Sequence, residues 1–117
     1  MHELSVTKNV VSIVMKHAEA CHAEKVMSVE LEVGELRDIV EEFLQKCFSY
    51  LCRGTIAQDA KLLVKVIPFT CQCDDCSQVF PVNIHSDISD MACPYCKGRS
   101  LSPYTGQEFI IRNIQVI

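Results

Sequence analysis

Between residues 6 and 21 the apolar positions fall at Val6, Val10, Ile13, Val14, His17 or Ala18, and Cys21. Steps of three and four put these on one stripe of a helix. From Val26 the pattern changes to alternation, so that Met27, Val29, Leu31 and Val33 share one face of a strand that Gly34 closes. Asp38 followed by Glu41 has the spacing of a capping box and predicts the start of a second helix. Val40, Phe43, Leu44, Cys47, Phe48 and Leu51 supply its apolar face, and Gly54 marks its end. Residues 62–67 and 109–117 are β-branched and apolar enough for two further strands, Pro68 ending the first.

Residues 69–104 carry turn formers and no long periodic run. A module of that size buries too little apolar surface to hold the C-terminal strand as well, so that strand is assigned to the first sheet. The predicted class is α+β: two helices on a three-stranded sheet with an inserted, zinc-ribbon-like four-cysteine module. Residues 1–68 and 106–117 are expected to form a discontinuous α+β domain, and residues 69–105 a metal-binding domain.

Charge removes some functions. The chain has a formal net charge of −4, the wrong sign for coating nucleic acid or an anionic membrane. Its apolar runs fall far short of the roughly 20 residues that span a bilayer. Met1–His2–Glu3 lacks the basic start of an export signal, so a cytoplasmic location is expected.

The eight cysteines add the candidate chemistry. In a reducing compartment metal ligation is the better reading than disulfides. Cys73–Asp74–Asp75–Cys76 and Cys93–Pro94–Tyr95–Cys96 are two CxxC knuckles, able to bring four thiolates around one tetrahedral ion. Four thiolates leave no open position, so a structural role is predicted. Between Phe69 and Thr105 the acidic Asp74, Asp75, Asp87 and Asp90 outnumber Lys97 and Arg99, which argues against a phosphate-binding ribbon. Rubredoxin-like iron electron transfer and a non-enzymatic zinc-ribbon adaptor remain as alternatives. Cys71 is read as a bystander thiol and His85 as a solvated loop residue. Cys21, Cys47 and Cys52 are expected to be small buried hydrophobes, with His17 at core spacing.

The start of the chain offers a second site. The Met1 α-amine, the His2 backbone nitrogen and the His2 imidazole can close adjoining chelate rings around Ni(II) or Cu(II), whose planar preference suits nitrogen donors. A pair drawn from His17 and His22 is the main competitor for such an ion. There is no Gly-rich phosphate loop, and nothing arranges Ser, His and Asp as a triad, so the chain reads as a non-enzyme.

Met1–His2–Glu3–Leu4–Ser5, Cys52–Arg53–Gly54–Thr55 and Cys73–Asp74–Asp75–Cys76–Ser77, within this pattern of elements, resemble the HypA/HybF family of hydrogenase-maturation nickel metallochaperones. The resemblance covers the whole chain. It implies transient Ni(II) at the N-terminus, held by the Met1 amine, the His2 imidazole and backbone nitrogen, and the Glu3 backbone nitrogen. It implies structural Zn(II) at Cys73, Cys76, Cys93 and Cys96. The implied partners are a HypB-type GTPase and the precursor of the nickel–iron hydrogenase large subunit. Some members add an aspartate as a fifth nickel ligand; the aligned position here is Val40, with Asp38 and Glu41 the nearest carboxylates. A homodimer is compatible with the inserted lobe and is not demanded by any residue.

Overall fold

The computed structural model describes residues 3–85 and 91–117. The chain runs through α1 (Glu3–Ala20), β1 (Val26–Gly34), a 3-10 turn (Glu35–Arg37), α2 (Glu41–Leu51) and β2 (Lys61–Ile67). It continues through β3 (Thr70–Cys73), β4 (Val79–Pro81) and β5 (Leu101–Thr105), and finishes with β6 (Phe109–Val116). The main sheet has the order β2-β1-β6. β2 lies parallel to β1, as a crossover through α2 requires, and β6 lies antiparallel on the other edge. The expected α+β arrangement of two helices with a three-stranded sheet is therefore present, and the C-terminal strand does belong to it.

The core lies between helices and sheet. Val10, Val14 and Ala18 from α1 meet Leu44 and Phe48 from α2, over Val29, Leu31 and Val33 of β1 and Leu62 of β2. Thr7 is also buried, and its hydroxyl donates to the Glu3 carbonyl one turn earlier, which satisfies the polar group.

Three expected details are corrected. Met27 does not join the buried face. A register shift between Val26 and Ser28 changes the alternation, so Val26 is buried and Met27 exposed. Asp38 is not the N-cap of α2. It has left-handed backbone, φ 53°, closing the 3-10 turn, and the cap position falls on Val40 without a side-chain cap. The apolar stripe of α2 is narrower than predicted, because Val40 and Phe43 are exposed beside buried Leu44 and Phe48.

The segment between β2 and β6 forms its own sheet, β4-β3-β5, which the turn-rich sequence did not predict. Phe69, Cys71, Phe80 and Val82 make a second apolar cluster there, and Leu36 from the 3-10 turn packs against it. The Leu36 N–H donates to Gly106 O at 2.8 Å, and Arg37 Nε donates to Gln107 O at 2.7 Å. The Phe69 N–H donates to the Glu35 carboxylate at 3.0 Å. The 3-10 turn thus braces both connecting segments between the two sheets. The radius of gyration is 18.0 Å, against about 13 Å for a compact chain of this length, as two lobes set end to end require. No helix among the described residues is long and apolar enough to cross a membrane.

Candidate metal centre

The two knuckles fold alike. Cys73 at the end of β3 donates its N–H to Gln78 O at 2.9 Å and accepts from the Ser77 N–H at 2.9 Å. Cys93 donates to Gly98 O at 2.8 Å and accepts from the Lys97 N–H at 2.9 Å. In each, the residue after the second cysteine turns left-handed, Ser77 at φ 65° and Lys97 at φ 66°. This turn brings the pair of sulfurs in one CxxC to the same side. Asp74 then pins the first knuckle to β5, its carboxylate accepting from the hydroxyls of Ser100 at 2.8 Å and Ser102 at 2.9 Å.

The sulfurs of Cys73, Cys76, Cys93 and Cys96 all lie within 4.8 Å of one another. Cys73 and Cys96 are 3.5 Å apart, and Cys76 and Cys93 3.6 Å. A tetrahedral zinc with bonds of about 2.3 Å needs edges of about 3.8 Å, so the four fit such an ion with a few tenths of an ångström of expansion. N–H groups already point at sulfur: Tyr95 donates to Cys93 and Gly98 to Cys96, each at 3.4 Å.

Ionisation of the set is unequal. Burial pushes the Cys93 thiol up, but hydrogen bonds from the Cys96 and Tyr95 N–H groups, with the Cys76 and Cys96 sulfurs, hold it down to about 7. The Gly98 N–H lowers Cys96, yet contact with Cys73, burial, and contacts with Cys76 and Cys93 push it up to about 12. Four adjacent thiols cannot all ionise without a cation between them. A divalent ion removes that conflict, and the donor set fits one.

Cys71 lies outside this cluster. It is buried among the apolar residues of the small sheet, and burial pushes its thiol up. His85 is exposed. Its backbone N–H donates to Asn83 Oδ1 at 2.8 Å, and it joins no metal-ligating group among the described residues.

At the other candidate site, Met1 and His2 lie outside the described residues. Glu3 opens α1, so its backbone nitrogen is one of the helix N-terminal groups that have no partner within the helix. Its carboxylate accepts the Val40 N–H at 3.1 Å, joining the start of α1 to the start of α2. Sequence spacing gives no sign of this bond, which links positions 37 residues apart. Asp38 and Glu41, flanking that point, are exposed.

The remaining cysteines divide. Cys52 is buried as expected, and Cys47 is half-buried. Cys21 and His17 are exposed, against expectation, because the helix turns Ala18 to the core in their place.

Residues 1–116 match the family model described as HypA: hydrogenase/urease nickel incorporation, metallochaperone. Among curated relatives, hydrogenase maturation factor HypA of Geobacter sulfurreducens is 35% identical over 116 residues, covering 99% of each chain. Hydrogenase maturation factor HybF of Escherichia coli K12 is 36% identical, with the same coverage. In fold, the chain is similar to the solution structure of the Ni metallochaperone HypA from Helicobacter pylori, with a TM-score of 0.67, 23% identity, and 100% and 98% of the two chains covered. It is also similar to another solution structure of a HypA protein, with a TM-score of 0.75, 24% identity, and 100% and 97% covered. Carrying a clustered set of four cysteines, the chain belongs to the HypA/HybF family of hydrogenase maturation factors and nickel metallochaperones.

Proposed function

We propose that this protein binds Ni(II) at its N-terminus and delivers it to the large-subunit precursor of a nickel–iron hydrogenase, working with a HypB-type GTPase in the cytoplasm. The ligands are the Met1 amine, the His2 imidazole and backbone nitrogen, and the Glu3 backbone nitrogen. Residues 1–68 and 106–117 form the nickel-binding domain, and residues 69–105 the zinc-binding domain. Zn(II) is held by Cys73, Cys76, Cys93 and Cys96, where it is structural, and the protein itself catalyses no reaction.

The observation that carries this reading is the bond between the Glu3 carboxylate and the Val40 N–H. It ties the nickel-bearing end of the chain to the start of α2, where Asp38 and Glu41 stand as candidate fifth ligands. Val40 follows three residues after the 3-10 turn that braces the connecting segments running to the zinc lobe. Through that turn the Glu3–Val40 bond is continuous with the contacts to Phe69, Gly106 and Gln107 at the root of the small sheet. Donors drawn from a chain terminus are easily dismantled, which a carrier needs and a buried cage does not offer. Absence of nickel transfer to the purified large-subunit precursor, under conditions where GTPase and precursor are competent, would defeat the delivery reading. Transfer that depends on His2 supports it. A zinc-ribbon adaptor has no such dependence, and a rubredoxin-like carrier would hold iron and be coloured.

A further inference from the structure

His17 lies in the last turn of α1 and Cys21 is the residue just past its end, and both are exposed. The turn is regular, the Cys21 N–H donating to His17 O at 3.0 Å, so the two side chains leave the helix four residues apart on one face. Cys21 Sγ and His17 Nε2 are 3.6 Å apart. A tetrahedral ion with Zn–S of about 2.3 Å and Zn–N of about 2.05 Å needs a sulfur–nitrogen edge of about 3.6 Å. The same bonds at a right angle, as in a planar site, need an edge of about 3.1 Å. The observed separation accommodates a tetrahedral ion with little movement, and a planar one only with closer approach of the two side chains.

From this pair we propose that His17 Nε2 and Cys21 Sγ form an exchangeable two-ligand site for a divalent cation of the zinc class, separate from the four-cysteine centre. The ion takes neutral imidazole and thiolate, and the thiol proton leaves to solvent on binding. Two positions of the tetrahedron stay open to water, so the ion is held at the surface and exchanges. His17 and Cys21 follow Glu3 by 14 and 18 residues, which at about 1.5 Å per residue sets this site about 21–27 Å along the helix axis from Glu3. It therefore shares no ligand with the N-terminal residues. The competing account is a weak thiol–imidazole hydrogen bond with no affinity for metal.

The test uses the full chain with its four-cysteine site already loaded. Alkylation of Cys21 by iodoacetamide is followed by peptide mass spectrometry at increasing free zinc, with the half-buried Cys47 as internal reference. A liganded sulfur is not a free nucleophile, so labelling of Cys21 slows about tenfold once zinc exceeds its half-saturating concentration about tenfold. Labelling of Cys47 stays constant. In His17→Ala the protection is lost, and because His17 is exposed the fold and the loaded four-cysteine site remain as a control. The proposal fails if Cys21 labelling is unchanged up to about 1 mM zinc, which would put any affinity weaker than a millimolar dissociation constant. It fails equally if protection is undiminished in His17→Ala, since the thiol alone would then hold the ion.

Discussion

Gly106 sits where the chain returns from the small sheet to the main one, and replacing it by alanine should cost more than its size suggests. Its φ is +113°, outside what residues with a Cβ readily adopt. An added Cβ would lie 2.8 Å from Phe69 Cα and 3.2 Å from Phe69 Cβ. Backbone cannot swing aside as a flexible side chain can. Its N–H donates to the Glu108 carboxylate at 2.7 Å, and its carbonyl accepts from Leu36, so this connecting segment cannot shift without losing these bonds. The backbone conformation accounts for about 1–3 kcal/mol, and the overlap for about 1–3 kcal/mol more. Gly54 supplies the control, because its φ is +76° but an added Cβ would meet nothing within 4 Å. Gly54→Ala should cost only the left-handed penalty of about 1–2 kcal/mol. With a urea slope of about 2 kcal/mol/M, Gly106→Ala lowers the unfolding midpoint of the zinc-loaded protein by about 1–3 M and Gly54→Ala by about 0.5–1 M. Equal shifts in the two variants would refute the claim that the junction is sterically closed.

Cys73→Ser should lose stoichiometric zinc while Cys71→Ser retains one ion per chain, as measured by elemental analysis after desalting, since only Cys73 has its sulfur in the cluster. Zinc binding should displace one proton more below about pH 7 than above it. Cys93, held down to about 7, is a thiolate above that pH and a thiol below it, so zinc affinity falls more steeply on the acid side; calorimetry in buffers of different ionisation enthalpy counts the protons. Glu3→Ala removes the acceptor of the Val40 N–H, which should cost about 1 kcal/mol of stability in urea unfolding, whereas Glu3→Gln keeps an oxygen in place and recovers most of it.

Periodicity was enough for the main lobe because its elements are each buried on one side. α1, β1, α2, β2 and β6 lie within a few residues of their expected bounds, and the core stripe through Val10, Val14 and Ala18 follows the helical repeat, although Ile13, expected on it, is exposed. The misses arise where tertiary contacts replace local ones. Asp38 has the residue type of an N-cap, but the 3-10 turn ahead of it forces left-handed backbone, and Glu3 from another helix serves the Val40 N–H instead. Met27 keeps strand spacing in sequence, but an irregularity beside β6 turns it outward. The small sheet was hidden because its strands span only three to five residues, too few to show alternation. The four-cysteine cluster was visible from spacing alone, since CxxC turns form locally. The pairing of Cys21 with His17 was not, because helical spacing equally allowed either to face the core.

Under the proposed function, nickel is carried at the N-terminus independently of the four-cysteine centre. Titrating nickel into untagged protein with its native terminus, alongside His2→Ala, with zinc measured on the same samples, tests it most directly. The parent protein should bind one nickel per chain, His2→Ala should lose that nickel, and both should hold one zinc per chain. Nickel binding undiminished in His2→Ala, or nickel that displaces the zinc, would contradict it.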